Sequence, residues 1–123
     1  MPQKKTFRNP WEASIAETLG GLCRYEPFTI PYITHREYTP DFVGQSSSGK
    51  QVIIEAKGFF RVGDTQKYKA IRDALEDHQE LVFILYKPET KVRKGGKITM
   101  AKWCDKEGIK WFLAENASDA LTI

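Results

Sequence analysis

Cysteine is scarce in this sequence. Cys23 and Cys104 lie far apart and fit no metal-ligand spacing. With no disulfide framework the chain must stand on its apolar core, and its thiols are expected to be reduced, in a cytoplasmic setting. No apolar run approaches the ~20 residues that a membrane-spanning helix needs. Met1-Pro2-Gln3-Lys4-Lys5 has no apolar stretch behind it, so neither a span nor a secretion signal is expected. There is no glycine-rich nucleotide loop, no internal repeat and no low-complexity segment. Acidic residues are outnumbered, 16 against 19 Lys and Arg, for a net charge of +3. That balance is compatible with a polyanionic partner without requiring one. What is present is the composition of an ordinary globular protein, 41% hydrophobic and 28% charged. At 123 residues the expectation is a single domain, 1–123.

The most informative stretch is Tyr38-Thr39-Pro40-Asp41-Phe42-Val43, followed by Gln51-Val52-Ile53-Ile54-Glu55-Ala56-Lys57-Gly58. Between the two apolar segments, Gln45-Ser46-Ser47-Ser48-Gly49-Lys50 reads as a hairpin turn. On a strand, residues two apart share a face, so Glu55 and Lys57 point together and Ala56 is expected to point the other way, into the core. Glu-x-Lys alone is a weak signal, since Glu89-Thr90-Lys91 repeats it just past Pro88 with no strand beneath. The first copy gains weight from the apolar strand running into it and from Pro40-Asp41 on the strand before; the competing reading is a solvated ion pair at a strand end. Hard oxygens from Asp41 and Glu55 suit Mg²⁺, which keeps several waters and shares its sphere with a substrate phosphate. A metal-bound water has a lowered pKa, and a cationic Lys57 beside it would orient or help deprotonate that water and stabilise the transition state. The chemistry expected is metal-dependent phosphodiester hydrolysis.

Around this stretch the elements follow simple signals. Asn9-Pro10-Trp11-Glu12 starts a helix, with Asn at the N-cap, Pro at the first helical position and Glu at the third. Trp11, Ile15 and Leu19 make a stripe expected to be buried, and Gly20-Gly21 stops the helix. Taken locally, Glu12 reads as a capping residue. Leu22–Ile33 looks extended, but Pro27 and Pro31 confine it to an edge strand or an arm. Asp64 to His78 reads as a helix capped by Asp64 or Thr65, with Tyr68, Ile71 and Leu75 inward. Lys67, Lys69 and Arg72 on its early turns oppose the helix macrodipole and would either meet a phosphate or form a solvated face. Leu81–Tyr86 is a strand buried on both faces. Lys87–Lys97, with Lys91, Arg93, Lys94 and Lys97, is a basic loop whose expected flexibility suits a nucleic-acid backbone. Thr99–Glu107 is a helix closed by Gly108, Ile109–Leu113 a short strand, and Ala117–Ile123 a polar tail with a few apolar anchors. The N-terminal Lys4, Lys5 and Arg8 could lie along phosphates or simply be solvated. This order predicts an α/β (α+β) domain with a mixed central sheet flanked by helices.

Pro40-Asp41 with Glu55-Ala56-Lys57 after a hairpin resembles the restriction-endonuclease-like PD-(D/E)xK core. More closely, the chain resembles the phage endonuclease I family of Holliday-junction resolvases. The likeness is carried by Phe7-Arg8 ahead of Glu12, by Tyr38–Phe42 and by Glu55-Ala56-Lys57-Gly58. It continues in Thr90-Lys91 and in Cys104-Asp105-Lys106-Glu107-Gly108-Ile109-Lys110. The resemblance implies a structure-selective endonuclease that cleaves four-way and other branched DNA with Mg²⁺ or Mn²⁺, two ions per site. It assigns metal binding to Asp41, Glu55, Glu12 and the Ala56 backbone carbonyl, and catalysis to Lys57 with those three carboxylates. It also implies a domain-swapped homodimer, with 22–33 as the bridge between subunits and Glu12 completing the other chain's site. The DNA contacts expected are Arg8, Lys67, Lys69, Arg72, Lys91, Arg93, Lys94 and Lys97. Departures are a short N-terminal arm, a longer turn between Asp41 and Glu55, and an end at Ala120-Leu121-Thr122-Ile123 in place of the family's long basic tail. Two other functions stay open: a PD-(D/E)xK nuclease of nicking, restriction-like or transposase-associated specificity, or a catalytically silent DNA-binding module.

Overall fold

The computed structural model describes residues 6–123; Lys4 and Lys5, offered above to a phosphate backbone, lie outside the described residues. The chain forms two compact units, Met1–Arg36 and Glu37–Ile123.

In the first unit, α1 spans Pro10–Leu19, as its signals predict: Asn9 is the N-cap, its Oδ1 accepting the Glu12 N–H at 2.8 Å, and Pro10 opens the helix. Gly20 adopts a positive φ of 56° and ends it, followed by a 3₁₀ turn, Gly20–Leu22. Two expectations fail here. The Glu12 carboxylate makes no bond back to the Asn9 amide, because Arg8 and Tyr25 hold it instead. The stripe Trp11, Ile15 and Leu19 is not buried: Trp11 is 72% exposed, since this unit has no second layer to set against it. Residues 23–41 form no strand, although Pro27 and Pro31 still mark the segment as irregular.

The second unit is built on a four-stranded mixed sheet in the order β1-β2-β3-β4. These strands are Phe42–Gln45, Gln51–Lys57, Gln79–Leu85 and Lys110–Phe112. β1 runs antiparallel to β2 through the expected hairpin, and β2, β3 and β4 are parallel. The parallel pair needs a crossover, supplied by α2, Asp64–Ala74; α3, Met100–Lys106, connects β3 to β4. Tyr68, Ile71 and Leu75 of the α2 region face inward as read, but the helix stops at Ala74, four residues short of His78. Its N-cap is Gly63 at φ 89°, where a side chain would be strained, and not Asp64 or Thr65. α3 begins at Thr99, whose hydroxyl accepts the Lys102 N–H, and closes at Gly108 as expected.

Strand alternation divides the core. Ile53, Leu81, Phe83 and Leu85 face α2 and α3, packing on Phe60, Tyr68, Met100, Trp103, Cys104 and Ile109. Val52 and Val82 face the other way, onto Ala120. The C-terminal stretch is therefore no loose tail: Ala114–Thr122 is a kinked 3₁₀ segment that covers this second face. Ala56 corrects another expectation. It is exposed, and Glu55 faces the core side, because the C-terminal segment covers Val52 and stops short of Ala56.

The aromatic packing sets the stability of this layer. Phe83, fully buried, stands edge-on to Phe60 and Tyr68 and stacks on Trp103. Phe83→Ala is expected to cost about 3–5 kcal/mol by transfer loss and cavity formation, read as a lowered denaturant midpoint at unchanged m-value.

Candidate active site

The site begins as a mismatch of strand lengths. β1 has four residues and β2 seven, and their last pair is Phe42 with Ile54. In that register Asp41 falls opposite Glu55 and the next hydrogen-bonded pair would be Pro40 with Ala56, but proline has no N–H to give the Ala56 carbonyl. The ladder stops, and Glu55, Ala56 and Lys57 run on without a β1 neighbour. Asp41 enters the gap: its Oδ2 accepts the Ala56 N–H at 2.9 Å. Backbone N–H and C=O of one strand residue point to the same side, so the Ala56 carbonyl also faces the Asp41 side.

Glu55 is 8% exposed. Tyr38, missed as a site residue by the sequence, donates its hydroxyl to Glu55 Oε1 at 2.5 Å. Oε2 has no hydrogen-bond donor among the described residues and is not sealed from water. Burial pushes the Glu55 carboxyl up. The Tyr38 bond and the Lys57 charge work against this, the neighbouring Asp41 carboxylate adds to it, and the net shift is upward. Burial and the facing Glu55 carboxylate push the Tyr38 phenol up as well, keeping it a donor.

Lys57 turns to a second buried acid. Its Nζ lies 3.2 Å from Asp64 Oδ2 and 5.0 Å from the Tyr68 ring centroid. Burial disfavours the ammonium, but its contacts with Tyr68 and Asp64 outweigh that, and its pKa rises. Burial likewise acts to raise Asp64, yet the Arg61 N–H at 2.9 Å and Lys57 prevail and hold it below the usual carboxylate range. Asp64 gave no signal beyond that of a cap, because its partner is seven residues away across a turn.

The structure thus brings Asp41, Glu55, Ala56 and Lys57 together, and adds Tyr38 and Asp64. Two carboxylates with one tethered and one untethered oxygen each, beside a carbonyl, are hard donors that fit a small divalent cation. Among the described residues no three His, Cys, Asp or Glu side chains group as a metal cluster. Glu12 belongs to the other unit, where its carboxylate meets Arg8 at 3.5 Å and Tyr25 at 3.3 Å. Arg8 also pairs with Glu26 at 2.6 Å.

The remaining cations divide by partner. Arg72 ties α2 to α3, its Nη1 donating to the Glu107 carbonyl and carboxylate while its Nε pairs with Asp73. Lys67 Nζ sits over the Tyr68 and Tyr38 rings, at 5.3 and 5.9 Å, at the edge of the site. The basic loop folds back on itself, with Val92 N–H to the Ile98 carbonyl at 2.9 Å and Lys91 Nζ to the Lys97 carbonyl at 3.2 Å. Lys94 is exposed on it. Between α2 and this loop lies a groove of about 330 Å³ lined by Lys69, Arg93, Lys97 and Lys106. None of these four has an acidic partner within 4.0 Å among the described residues. Lys106 was not singled out from the sequence.

These features define an α+β domain with a mixed sheet that carries a carboxylate pair and a half-buried lysine at a strand end, beside a cationic groove. The chain belongs to the phage endonuclease I family: residues 2–116 match the profile described as Phage endonuclease I. It is also 30% identical over 113 residues to "Endonuclease I" of Escherichia phage T7, an alignment covering 85% of this chain and 71% of that protein.

The Lys57–Asp64 pair makes stability depend on pH in a defined direction. A carboxyl whose folded pKa is depressed contributes stability above its unfolded value and loses it as pH falls through the folded one. Wild-type stability in denaturant titrations should fall below about pH 4, the ordinary Asp range, more steeply than that of Asp64→Asn. Parallel pH curves for the two proteins would count against the pair.

Proposed function

We propose that this protein is a metal-dependent endonuclease of the PD-(D/E)xK type that cleaves four-way and other branched DNA as a homodimer with exchanged N-terminal helices. Family membership supports the nuclease. The observation that carries the chemistry is the pairing of Asp41 and Glu55, one free oxygen each, at the strand end that also bears Lys57. A Mg²⁺ or Mn²⁺ held there would supply a water of lowered pKa and positive charge against the attacked phosphate. Asp41, Glu55 and the Ala56 carbonyl would hold it, and Tyr38 and the Ala56 N–H fix the two carboxylates. Lys57, kept protonated by Asp64, acts as a fixed cation toward charge developing on the phosphate and not as a proton acceptor. Lys67 meets a phosphate next to the reacting one, and the groove of Lys69, Arg93, Lys97 and Lys106 tracks the backbone of a DNA arm.

The dimer reading rests on α1 and the segment after it. Trp11, Ile15, Leu19, Leu22, Phe28 and Ile30 are all exposed, large apolar side chains that a partner surface would take out of water. A second copy would cover it and bring Glu12 to the partner's carboxylate pair, where a second ion needs another ligand.

Four-way junctions should be cut in Mg²⁺ while a matched linear duplex is spared; equal cutting of both would sink the junction reading and leave a nuclease of other specificity. Lys57→Ala is expected to slow junction cleavage by about 10²–10³-fold with junction binding intact. Glu12→Ala and Asp41→Ala chains, each inactive alone, should regain activity after subunits are remixed, and failure to do so would count against helix exchange. In the groove, Lys69→Ala with Lys97→Ala should lower the salt dependence of junction binding by about 2 in log–log slope, measured by titration at several salt concentrations.

A further inference from the structure

We propose that Tyr38 selects which divalent cation this site accepts, by occupying one of the two oxygens of the Glu55 carboxylate. The inference rests on the metal site proposed above for Asp41 and Glu55, and it concerns a residue outside the ligand set. Tyr38 is half-buried and lies beyond the start of β1. Its hydroxyl sits 2.5 Å from Glu55 Oε1. The ring cannot easily swing away: it stands edge-on to the buried Tyr68, centroids 6.2 Å apart, and Lys67 Nζ lies over its face at 5.9 Å. Glu55 is therefore left with Oε2 as its oxygen without a donor among the described residues.

Asp41 is restricted in the same way. Its Oδ2 accepts the Ala56 N–H, which leaves Oδ1 as the oxygen with both lone pairs uncommitted among the described residues. Both carboxylates are held as single-oxygen ligands, one by a side chain and one by the backbone. The two classes of divalent ion respond differently to that restriction. Mg²⁺ and Mn²⁺ take near-octahedral oxygen spheres, ~2.0–2.1 Å for Mg²⁺, usually with one or two carboxylates and several waters. Ca²⁺ takes about 6–8 oxygens at longer distance and gains from bidentate carboxylates. A glutamate with one oxygen committed to a phenol satisfies the first class and makes the bidentate grip of the second costlier. Removing the hydroxyl frees Oε1 and relaxes the discrimination.

The test is direct metal binding to the full chain without DNA, so that cleavage is not the readout. Mn²⁺ affinity is measured from the paramagnetic resonance signal of the free ion, and Ca²⁺ affinity by calorimetry, for wild type, Tyr38→Phe, Tyr38→Leu and Glu55→Ala. Thermal melts accompany each protein. Tyr38→Phe keeps the ring on Tyr68 and should shift the ratio of Ca²⁺ to Mn²⁺ affinity about tenfold toward Ca²⁺, the size expected when an outer-shell partner is lost. Tyr38→Leu, which lacks the hydroxyl and the ring, should shift it the same way; a shift in Leu alone would trace to lost packing and overturn the proposal. A ratio within about twofold of wild type in Tyr38→Phe, with binding lost in Glu55→Ala, would overturn it while leaving the metal site standing. Wild-type binding that survives Glu55→Ala would remove the metal site itself, and this inference with it.

Discussion

A single missing N–H organises this molecule. Up to Phe42 and Ile54 the hairpin exchanges hydrogen bonds as any antiparallel pair does. Pro40 then stands where the next donor should be, and the ladder ends with β2 only partly covered. The three residues left over are Glu55, Ala56 and Lys57. The gap is bridged by a side chain, Asp41 reaching the Ala56 amide, so the element that ends the sheet also places the first carboxylate of the site. One backbone constraint thus fixes a strand end, the place of a carboxylate and the direction of the Ala56 carbonyl at once.

The second carboxylate is tied to the core itself. Glu55 is on the face of β2 that carries Ile53, and so it borders the aromatic layer of Tyr68, Phe83, Phe60 and Trp103. Tyr68 belongs to both worlds: its ring packs on Phe83 while Lys57 lies over its other side and Tyr38 meets it edge-on. Burial in such a layer is unfavourable for charge. The chain answers with close partners, Tyr38 for Glu55 and Asp64 for Lys57, and each buried charge is held in one place as a result. Rigid packing and site geometry come from the same residues.

Much of this was legible in the sequence because it depends on local rules. Asn9-Pro10 and Gly20 bound α1 as read, since caps and breakers act through the backbone of their own residues. The hairpin, β2 and the buried β3 followed from apolar runs between turn residues. Asp41, Glu55 and Lys57 stood out because a proline and a strand end fix their spacing. What was not legible depends on pairing across the fold. Tyr38 reads as an ordinary strand aromatic until its hydroxyl is seen at Glu55. Asp64 looks like a cap until Gly63 takes that position and Lys57 claims the carboxylate. Alternation told that Ala56 opposes Glu55, but not which face the helices cover. The Trp11 stripe has helical period, and period alone does not say what covers a stripe.

The cations of α2 show how charge that is poor for stability can still be informative. Lysines near a helix N-terminus oppose the macrodipole, and here the opposition is met in two different ways. Asp64 in the first turn supplies the favourable sign, and Lys67 settles its charge over two aromatic rings. Lys69 has neither remedy. It shares the groove with Arg93, Lys97 and Lys106, and the acid that lines it, Glu107, is already engaged with Arg72. Four like charges around one concavity repel one another whenever the groove is empty, and nothing in the packing of α2 or α3 requires them. A repeating polyanion would turn all four from a cost into a contact. The groove shares α2 with Asp64, which holds Lys57, and Lys69 lies about 7–8 Å further along that helix axis at ~1.5 Å per residue. The cationic groove and the anchor of Lys57 are therefore parts of one helix, so the charge that destabilises the free protein is carried by the element that also positions the site's lysine.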